Sequence, residues 1–459
     1  MTLSENYFVD EKADIKEAMS VINHNSIRMV IVADAARKLI GVITDGDIRR
    51  AILKGFSIND PVGVIVNRNP FFATSDTSQH ILFEQFRKER YFGIPIIDKK
   101  GQVVDIAFPD SGSFSLLSNS LKKSRPLEKI LVIGGGGYIG STLVRRLLKQ
   151  NYMVRVLDKF IYGEQSLADI QDNPKLEIIK GDTRHLEMLS QCIQDVDAVV
   201  HLAELVGDHA CSINTKVTQD INYLATSLVA SVCKHYQVNR LIYTSSCSVY
   251  GGSEGTTLLS ENSRLNPISL YAKMKVSSEQ ALISMADENF GPTILRLATV
   301  YGWSYRPRFD LVVNTLTVKA LQEGKITLFG GDQWRPNVHV ADVAKAIQSV
   351  LEAPFDLVAN QIFNVGSEDQ NYTISQLGNI IKTEIPTASL EVNPELTDKR
   401  NYKVDFSKIR EKLNFSPDFQ VTHAVAEISK AFQEHKVNNY LDPIYHNYKF
   451  LQNELLNNS

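Results

Sequence analysis

The chain has 459 residues, enough for two or three domains and a large buried core. Its 49 basic and 52 acidic residues nearly cancel, so no strong field draws it to nucleic acid or to an anionic membrane. An apolar fraction of 43% excludes wholesale disorder, and four scattered cysteines exclude a disulfide framework or a CxxC metal site. With no secretory signal and no apolar run of membrane-spanning length, we expect a cytoplasmic protein without bound metal, nucleic acid or membrane.

Two segments of similar length, 7–55 and 61–110, open the chain. Each is predicted to fold as helix, strand, strand and helix. Each contains two apolar strands joined by a turn with an aspartate, MVIVADAARKLIGVIT in the first and GIPIIDKKGQVVDIAF in the second. We interpret them as an internal repeat of about 50 residues.

The strongest motif of this region is KLIGVITDGDIRRAILKGFSINDPV, in which Thr44 and Asp47 follow a strand and begin a helix. A hydroxyl at a helix N-terminus can bind phosphate, and a carboxylate can accept the hydrogen bonds of ribose hydroxyls. The alternative for Thr44 is plain helix capping, for which threonine is equally suited. Arg49 and Arg50 follow on the same helix, where they meet phosphates or pair with the aspartates before them.

Residues 7–110 resemble a tandem pair of cystathionine-β-synthase-type (CBS) domains, and we assign 1–115 to this α+β module. The resemblance implies that the module binds a regulatory adenine nucleotide: AMP, ADP or ATP. The expected contacts are Thr44, Asp47, Arg49 and Arg50. The second repeat holds Phe108 and Ser111 at the threonine and aspartate positions, so one nucleotide site per chain is expected.

A serine-rich stretch that ends at Pro126 is typical of an exposed linker, placed at 116–126. In the remaining region, 127–459, continuous apolar runs predict six strands: KILVIG, YMVRVLD, LEIIKGD, DAVVHLA, RLIYTSS and TILRLAT. Such runs are buried on both faces, so they favour an α/β, Rossmann-type doubly wound parallel sheet over about 127–300. The looser pattern of about 301–459 predicts a small C-terminal substrate lobe, whose last residues, LQNELLNNS, either fray or form an extra helix.

A dinucleotide site is predicted where Gly134, Gly137 and Gly140 lie between the first of these strands and a helix. Glycines permit the tight turn and let backbone N–H groups approach a pyrophosphate at the helix N-terminus. The next strand ends in Asp158, whose carboxylate is suited to an adenosine ribose and repels a 2′-phosphate. This favours NAD over NADP, although the adjacent Lys159 weakens the preference. The alternative is that Asp158 only forms a turn at the strand end.

Tyr271 and Lys275 are spaced i and i+4 in SLYAKMKVSSEQAL, so both project from one face of a helix. A nearby ammonium favours the tyrosinate and lets Tyr271 act as a base near neutral pH. Upstream, Ser246 ends the strand RLIYTSS, where its hydroxyl can orient the reacting oxygen. Y-x-x-x-K alone is common by chance, but here it follows the glycine motif with the serine strand between them.

Taken together, these motifs resemble the extended short-chain dehydrogenase/reductase superfamily, in its nucleotide-sugar epimerase/dehydratase branch, from 129 to about 430. The resemblance implies that Tyr271 is the catalytic base and acid, with Lys275 and Ser246 as its catalytic partners. It adds GDTRH and DAVVHLAE as cofactor-binding segments. The NAD-binding residues that it implies are Gly134, Gly137, Tyr138, Ile139, Gly140, Asp158, Asp182, Thr183, Leu202, Ala203, Asn222, Tyr271 and Lys275.

The chain also departs from this family. Sugar 4,6-dehydratases carry Asp-Glu after the catalytic hydroxyl residue, whereas Cys247 and Ser248 stand here, which argues against dehydration. Glu204 replaces a usually small residue, so its carboxylate either faces the substrate or pairs with a cation such as Arg184. Cys247 either contacts substrate or is a small buried residue.

Substrate contacts are expected mainly from arginines, because forked guanidinium groups suit a diphosphate. Arg335 and Arg400 match positions where relatives hold the sugar-nucleotide phosphates, whereas His339 is interpreted as structural. The full expected substrate set is Glu204, Cys247, Thr299, Arg308, Asn314, Arg335 and Arg400.

These expectations combine into an NAD-dependent nucleotide-sugar epimerase that acts through a 4-keto intermediate and is regulated by an adenine nucleotide. The alternatives are a nucleotide-sugar dehydrogenase or 4-keto-sugar reductase, or a non-catalytic scaffold that senses nucleotides. Because both modules belong to types that self-associate, a homo-oligomer, dimer or tetramer, is expected.

Overall fold

The structure is a computed structural model. It describes residues 7–25, 28–74, 77, 81–82, 85–86, 89, 91–110, 113–116, 127–252, 258–287, 290–394 and 400–457. Contacts divide the chain into two units, Met1–Pro126 and Leu127–Ser459. Apart from Leu116, the predicted linker 116–126 lies outside the described residues.

The first unit contains two small sheets of similar design. Its elements are β1 (Phe8–Val9), α1 (Ile15–His24), β2 (Met29–Ala33), β3 (Leu39–Thr44), α2 (Asp45–Leu53), β4 (Ala73–Thr74), β5 (Ile94–Ile97), β6 (Val103–Asp110) and β7 (Ser113–Leu116). The sheet orders are β1-β2-β3 and β4-β5-β6-β7. In each sheet the first pair is parallel and the second antiparallel. The internal repeat therefore exists, but its turns begin at Asp34 and Asp98, so it is longer than the sequence pattern predicted.

The two repeats pair with each other through these turns. The Leu39 N–H donates to the Gly101 carbonyl at 3.1 Å, and the Val103 N–H donates to the Arg37 carbonyl at 2.9 Å. One hydrophobic cluster includes buried residues of both repeats, Ile31 among them. Each repeat thus buries part of its apolar surface against the other, as a tandem module requires.

The prediction of a helix at the end of the second repeat is wrong. β6 continues past Phe108 and pairs with β7, with Asp110 opposite Ser113. In the first repeat a threonine at the corresponding position, Thr44, caps α2. Phenylalanine has no oxygen to cap a helix, so the second repeat lacks this start signal. Ser111, the other expected departure, lies outside the described residues.

The second unit is built on a seven-stranded parallel sheet. Its elements are β8 (Lys129–Ile133), α3 (Tyr138–Lys149), β9 (Met153–Asp158), β10 (Leu176–Lys180), α4 (Leu186–Ile193), β11 (Ala198–His201), α5 (Asp208–Ile213), α6 (Thr215–Gln219), α7 (Ala225–His235), β12 (Arg240–Ser246), β13 (Leu258–Leu259), α8 (Leu270–Met285), β14 (Thr293–Leu297), β15 (Thr299–Tyr301), α9 (Val312–Glu323), β16 (Lys325–Phe329), β17 (Trp334–His339), α10 (Val340–Glu352), α11 (Phe355–Val358), β18 (Ile362–Val365), β19 (Asn371–Thr373), α12 (Ile374–Glu384), β20 (Ser389–Asn393), β21 (Lys403–Val404), α13 (Ser407–Leu413), α14 (Val421–Gln433) and α15 (Asn447–Asn457).

The strand order is β10-β9-β8-β11-β12-β14-β18, which confirms the Rossmann-type sheet and all six predicted strands. The seventh strand, β18, pairs with β14 and comes from the region predicted to be the substrate lobe. Helix α10 of the same region packs against α3. The chain therefore returns to the sheet after 301, and the lobe consists mainly of β15-β17-β19, β16-β20 and the helices α9, α12 and α14.

The sheet places its functional loops on one edge. The carboxyl ends of β8, β9, β11 and β12 meet there, where open α/β sheets bind ligands. The extra C-terminal helix, α15, is the second of the two outcomes expected for the chain end.

Three features of the described residues concern membrane-spanning helices, metal sites and disulfides. No helix among them has the length and apolar character needed to cross a membrane. Within the same residues, no group of three or more His, Cys, Asp or Glu side chains is placed to hold a metal ion. All four cysteines are buried and unbridged.

Candidate active site

The glycine loop after β8 forms a cradle of bare backbone. Gly134 has φ +87°, and a Cβ on it would lie 2.7 Å from the backbone nitrogen of Ala203. A Cβ on Gly140 would overlap the Gly134 carbonyl oxygen. Gly137 precedes α3, and no side chain caps this helix N-terminus. Exposed N–H groups at a helix start fit a pyrophosphate, so this loop fits NAD.

Asp158 ends β9 beside this loop. Its carboxylate accepts hydrogen bonds from the backbone N–H groups of Gly136 at 2.8 Å and Phe160 at 2.7 Å. Burial raises the pKa of Asp158, and these two hydrogen bonds oppose the rise. Asp158 therefore does form the strand-end turn, at the edge where an adenosine ribose would lie.

Lys159 is engaged by another carboxylate. Its Nζ lies 3.1 Å from Asp182, and the Arg184 guanidinium lies 2.6 Å from the same side chain. The hydrogen bonds from Arg184 hold the pKa of Asp182 well below its usual range. Arg184, which the sequence offered as an example of a cation for Glu204, therefore pairs with Asp182 instead.

The other expected cofactor residues line the same edge. Tyr138 is buried, and its hydroxyl donates to the Gly302 carbonyl at 2.8 Å, which ties α3 to the loop after β15. Thr183 is buried, while Ile139, Leu202 and Ala203 are partly exposed.

Asn222 is fully buried in a single π-helical turn, Asp220–Leu224, before α7. Its amide accepts from the Leu205 N–H at 2.9 Å and donates to the Leu205 carbonyl at 2.8 Å. The Ser278 hydroxyl of α8 donates to the Asn222 carbonyl at 2.8 Å. Asn222 thus holds the loop after β11 against α8, and π turns of this kind are frequent at functional sites.

The structure brings Tyr271, Lys275 and Ser246 together. Ser269 caps α8, which places Tyr271 in the first turn and Lys275 one turn later. The Lys275 Nζ lies 5.6 Å from the centre of the Tyr271 ring. Burial raises the pKa of Tyr271 above its ordinary value and Glu204 raises it further, while a hydrogen bond with Ser246 lowers it.

Glu204 pairs with a cation, which is one of the two outcomes that the sequence left open, but the cation is Lys275 and not Arg184. Its Oε2 lies 2.5 Å from the Nζ of Lys275, and the two side chains are 2% and 4% exposed. The Tyr243 hydroxyl donates to Glu204 Oε1 at 2.6 Å, and Lys275 also donates to the Thr244 carbonyl at 2.5 Å. Burial raises the pKa of Glu204, while Lys275 and Tyr243 oppose the rise. Tyr243 was missed because it has no signal beyond that of a buried strand residue.

Cys247 lies in the hydrophobic core of the second unit. It is 1% exposed, and its thiol donates to the Arg296 carbonyl at 3.3 Å. Burial raises the pKa of this thiol far above its ordinary value. The expected substrate contact of Cys247 is therefore corrected to the alternative, a small buried residue behind Ser246. The neighbouring Ser248 is buried as well.

Two expected substrate residues hold the loop after β15. The Asn314 side chain is buried, accepts from the Gly302 N–H at 2.9 Å and donates to the Arg308 carbonyl at 2.9 Å. Arg308 pairs with Asp310 at 2.9 Å. Asn314 is therefore engaged with this loop, and Thr299 lies partly exposed in β15.

The Arg335 side chain contacts the backbone of Arg400. Arg335 is 5% exposed, and it donates to the carbonyls of Trp334, at 2.8 Å, and of Arg400. Arg400 lies 3.1 Å from Asp208, the first residue of α5. Asp208 is a further site residue that sequence reasoning missed, because an aspartate after a glycine normally indicates only a turn.

His339 is structural, as predicted. Its Nδ1 accepts from the Ala341 N–H at 3.2 Å and so caps α10, while its Nε2 lies 3.0 Å from Glu427.

In the first unit, the expected nucleotide residues engage one another. Thr44 and Asp47 form a reciprocal capping box at the start of α2, in which the N–H of each residue donates to the side chain of the other. The Thr44 hydroxyl also donates to Asp47 at 2.7 Å. Arg50 pairs with Asp47, and Arg49 pairs with Asp45 at 2.6 Å. These are the structural alternatives that the sequence left open for these residues.

Comparison with known proteins supports this architecture. Residues 130–366 match the NAD dependent epimerase/dehydratase family, and residues 3–54 match the CBS domain. The chain is 29% identical over 263 residues to the UDP-glucose 4-epimerase of Lactobacillus helveticus, covering 52% of this chain and 76% of that protein. It is 27% identical over 322 residues to UDP-glucuronic acid decarboxylase 1 of Arabidopsis thaliana, covering 68% and 71%.

Among solved structures, the UDP-glucuronic acid 4-epimerase from Bacillus cereus, in complex with UDP-glucuronic acid and NAD, aligns with a TM-score of 0.61. The two chains are 26% identical, and the alignment covers 67% of this chain and all of that one, 100%. The family match spans more than half of the present chain. The chain therefore belongs to the NAD-dependent epimerase/dehydratase family, with NAD as its cofactor and a CBS domain ahead of the catalytic region.

Proposed function

We propose that this protein is an NAD-dependent nucleotide-sugar epimerase that inverts the sugar 4-position through a 4-keto intermediate. The observation that carries the proposal is the grouping of Tyr271, Lys275 and Ser246 at the edge of the sheet, beside the glycine cradle. A protein that only bound the dinucleotide would have no use for a base, a cation and a hydroxyl so placed.

In this mechanism, bound NAD supplies the hydride acceptor and donor. Tyr271 removes the proton of the sugar 4-hydroxyl, and Ser246 donates a hydrogen bond to the same oxygen. Lys275 favours the tyrosinate by its charge. After the keto sugar presents its other face, Tyr271 returns the proton, so the enzyme ends each turnover in its starting state.

Dehydration is disfavoured by the residues after Ser246. Cys247 lies in the core with a raised pKa, and Ser248 is buried, so neither supplies an acid or base at neutral pH. Decarboxylation is the second candidate, since a relative of similar identity is a UDP-glucuronic acid decarboxylase. A common 4-keto step would serve both reactions.

We assign the substrate diphosphate to Arg335 and Arg400, which are in contact through the Arg400 carbonyl, together with Arg308. Guanidinium groups fit a diphosphate because they donate paired hydrogen bonds. The ion pair between Arg400 and Asp208 implies that substrate competes with a carboxylate for this cation.

The decisive experiment is proton NMR of the full-length protein with NAD and a panel of UDP-, GDP-, CDP- and dTDP-sugars, including UDP-glucuronic acid. A new 4-epimer without net NADH supports epimerisation. Stoichiometric formation of NADH would show that the protein is a dehydrogenase and not an epimerase. A pentose product with release of carbon dioxide would show that it is a decarboxylase. The Tyr271→Phe variant, which keeps the ring and removes the proton acceptor, must abolish the signal.

We further propose that one adenine nucleotide binds the first unit through Thr44 and Asp47. The nucleotide would take over hydrogen-bonding groups that the capping box now uses, so binding and the start of α2 would be coupled. Calorimetric titration with AMP, ADP and ATP tests this, with Asp47→Asn expected to abolish the heat. The matched control is Asp45→Asn, which removes the neighbouring carboxylate that pairs with Arg49. No heat with the unaltered protein would eliminate the proposal.

We also propose self-association as a homo-oligomer, dimer or tetramer. Light scattering with and without ATP tests it, and a monomer under both conditions would refute it.

A further inference from the structure

The buried ion pair between Glu204 and Lys275 is the most unusual feature of the candidate active site. An ammonium group has three N–H donors. In this structure the Lys275 Nζ donates to the Thr244 carbonyl at 2.5 Å, and it lies 2.5 Å from Oε2 of Glu204 as an ion pair. These two contacts hold the Lys275 side chain in place.

Glu204 is itself held in place. The Tyr243 hydroxyl donates to its Oε1 at 2.6 Å, and the Tyr243 ring lies 4.7 Å from the Lys275 Nζ. Tyr243 stands opposite His201 in the pairing of β11 with β12, so the sheet itself sets the distance between this hydroxyl and the loop that carries Glu204. Such a carboxylate is confined to one geometry, as a positioning group requires.

A carboxylate so close to Lys275 opposes the effect that the proposed mechanism assigns to the lysine. The ammonium stabilises a nearby tyrosinate, whereas the carboxylate destabilises it. Because both charges are almost fully buried, solvent screens them little. The tyrosine therefore senses a nearly neutral pair instead of a lone cation.

We propose that Glu204 is a positioning residue that orients Lys275 and, through its negative charge, sets the pH range in which Tyr271 can act as a base. This inference rests on the proposed catalytic function of Tyr271. It predicts that the enzyme becomes active at a higher pH than it would with a neutral residue at position 204.

Other groups around the pair do not supply this effect. Tyr271 also faces Cys211, but burial raises the pKa of this thiol to about 12, so it carries no charge at neutral pH. Arg308 and Ser246 act in the direction opposite to Glu204. Lys275 faces His201, which is buried and has a pKa lowered to about 3, so this ring carries no charge at neutral pH. Glu204 is thus the neighbouring carboxylate that opposes Lys275.

The test compares Glu204→Gln, Glu204→Ala and Glu204→Asp in the full chain with NAD bound. Gln keeps the shape without the charge, Ala restores the small residue that the family resemblance implies, and Asp keeps the charge. Ionisation of Tyr271 is followed as tyrosinate absorbance against pH, after subtracting the same protein with Tyr271→Phe. This titration needs no substrate, so it stands even if the proposed epimerase activity fails.

The two neutral variants are expected to titrate about one pH unit or more below the unaltered protein, which corresponds to about tenfold more tyrosinate at a fixed pH. Glu204→Asp is expected to titrate near the unaltered protein. Once a substrate is known, the acid limb of kcat/KM should move with the titration. Neutral variants that titrate like the unaltered protein would overturn the proposal, as would an Asp variant that shifts as far as Gln.

Folding is checked by circular dichroism before each titration. If Glu204→Gln fails to fold, Glu204→Ala carries the comparison. If both neutral variants unfold, Glu204 serves the stability of the fold and the proposal is overturned.

Discussion

Replacing Gly134 by alanine is the sharpest test of the cofactor cradle. Gly134 has φ +87°, a conformation that costs an L-residue about 1–2 kcal/mol. The new Cβ would lie 2.7 Å from the Ala203 nitrogen and 3.0 Å from the Leu202 carbonyl carbon, both in a backbone that cannot rotate away. Overpacking of this kind costs about 1–3 kcal/mol. Together these effects lower the free energy of unfolding of the second unit by about 2–5 kcal/mol.

Variants of two other glycines separate the two causes of destabilisation, backbone strain and overpacking. Gly324 has φ +66° with no atom within 4 Å of its added Cβ, so Gly324→Ala reports backbone strain alone, about 1–2 kcal/mol. Gly137 has an ordinary φ of −79°, and its added Cβ would meet only the Gly134 carbonyl oxygen, at 3.3 Å. Gly137→Ala is therefore expected to fold nearly as well as the unaltered protein. Its methyl group lies at the helix N-terminus that receives the pyrophosphate, so NAD affinity should fall roughly tenfold or more.

Urea unfolding followed by tryptophan fluorescence measures these changes. The chain has two tryptophans, Trp303 and Trp334, and both belong to the second unit, so the signal reports on that unit. Calorimetry then gives the NAD affinity of each folded variant. If Gly134→Ala is no less stable than Gly324→Ala, the added Cβ at position 134 does not clash with the backbone of Leu202 and Ala203. If Gly137→Ala binds NAD like the unaltered protein, the cofactor does not approach this loop.

Three further predictions concern stability. The pKa of buried His201 is lowered to about 3, so the unfolded chain binds a proton below about pH 6.5 that the folded chain does not. Stability should therefore decrease as the pH falls from about 6.5 towards 3, by up to about 1.4 kcal/mol per unit, and His201→Asn should flatten this slope in urea unfolding. Asn222→Ala leaves the buried Leu205 N–H without its partner and removes one of two hydrogen bonds to the Leu205 carbonyl, to which the Cys211 thiol also donates at 3.2 Å; it should cost about 1–3 kcal/mol in the same assay, and an unchanged midpoint would show that Asn222 does not hold this loop. Thr44→Ala removes the cap of α2 and should cost about 1 kcal/mol in the first unit, seen by circular dichroism melting while the tryptophan transition stays in place.

The sheet was predictable because its strands satisfy local rules. Runs such as KILVIG and DAVVHLA are continuous and apolar, and each is followed by a glycine turn or a helix. β18 was missed because only four residues, Ile362–Val365, form it, and a polar asparagine interrupts them. That asparagine, Asn364, is buried and accepts a hydrogen bond from the Tyr250 hydroxyl at 2.7 Å. Such a partner is visible only in the folded chain.

The second repeat shows where prediction from the sequence failed. Its strands were predicted correctly, but the helix was carried over from the first repeat by analogy. The helix after β3 depends on one capping box, and Phe108 replaces the capping threonine. An internal repeat thus predicts the strands that build the shared core better than it predicts the elements that depend on single residues.

Among the candidate site residues, helical spacing was sufficient for Tyr271 and Lys275, because i and i+4 positions share a face in any α-helix. The contact between Lys275 and Glu204 has no such rule. Glu204 follows β11 and Lys275 lies in α8, and they meet because β12 lies beside β11 and presents Tyr243 and Thr244 to both. From the sequence, Arg184 was the cation suggested for this carboxylate, and the structure pairs Arg184 with Asp182 instead. The role of a carboxylate that departs from the family pattern therefore depends on the residue with which it pairs. For Glu204 that residue is Lys275, on which the proposed chemistry depends.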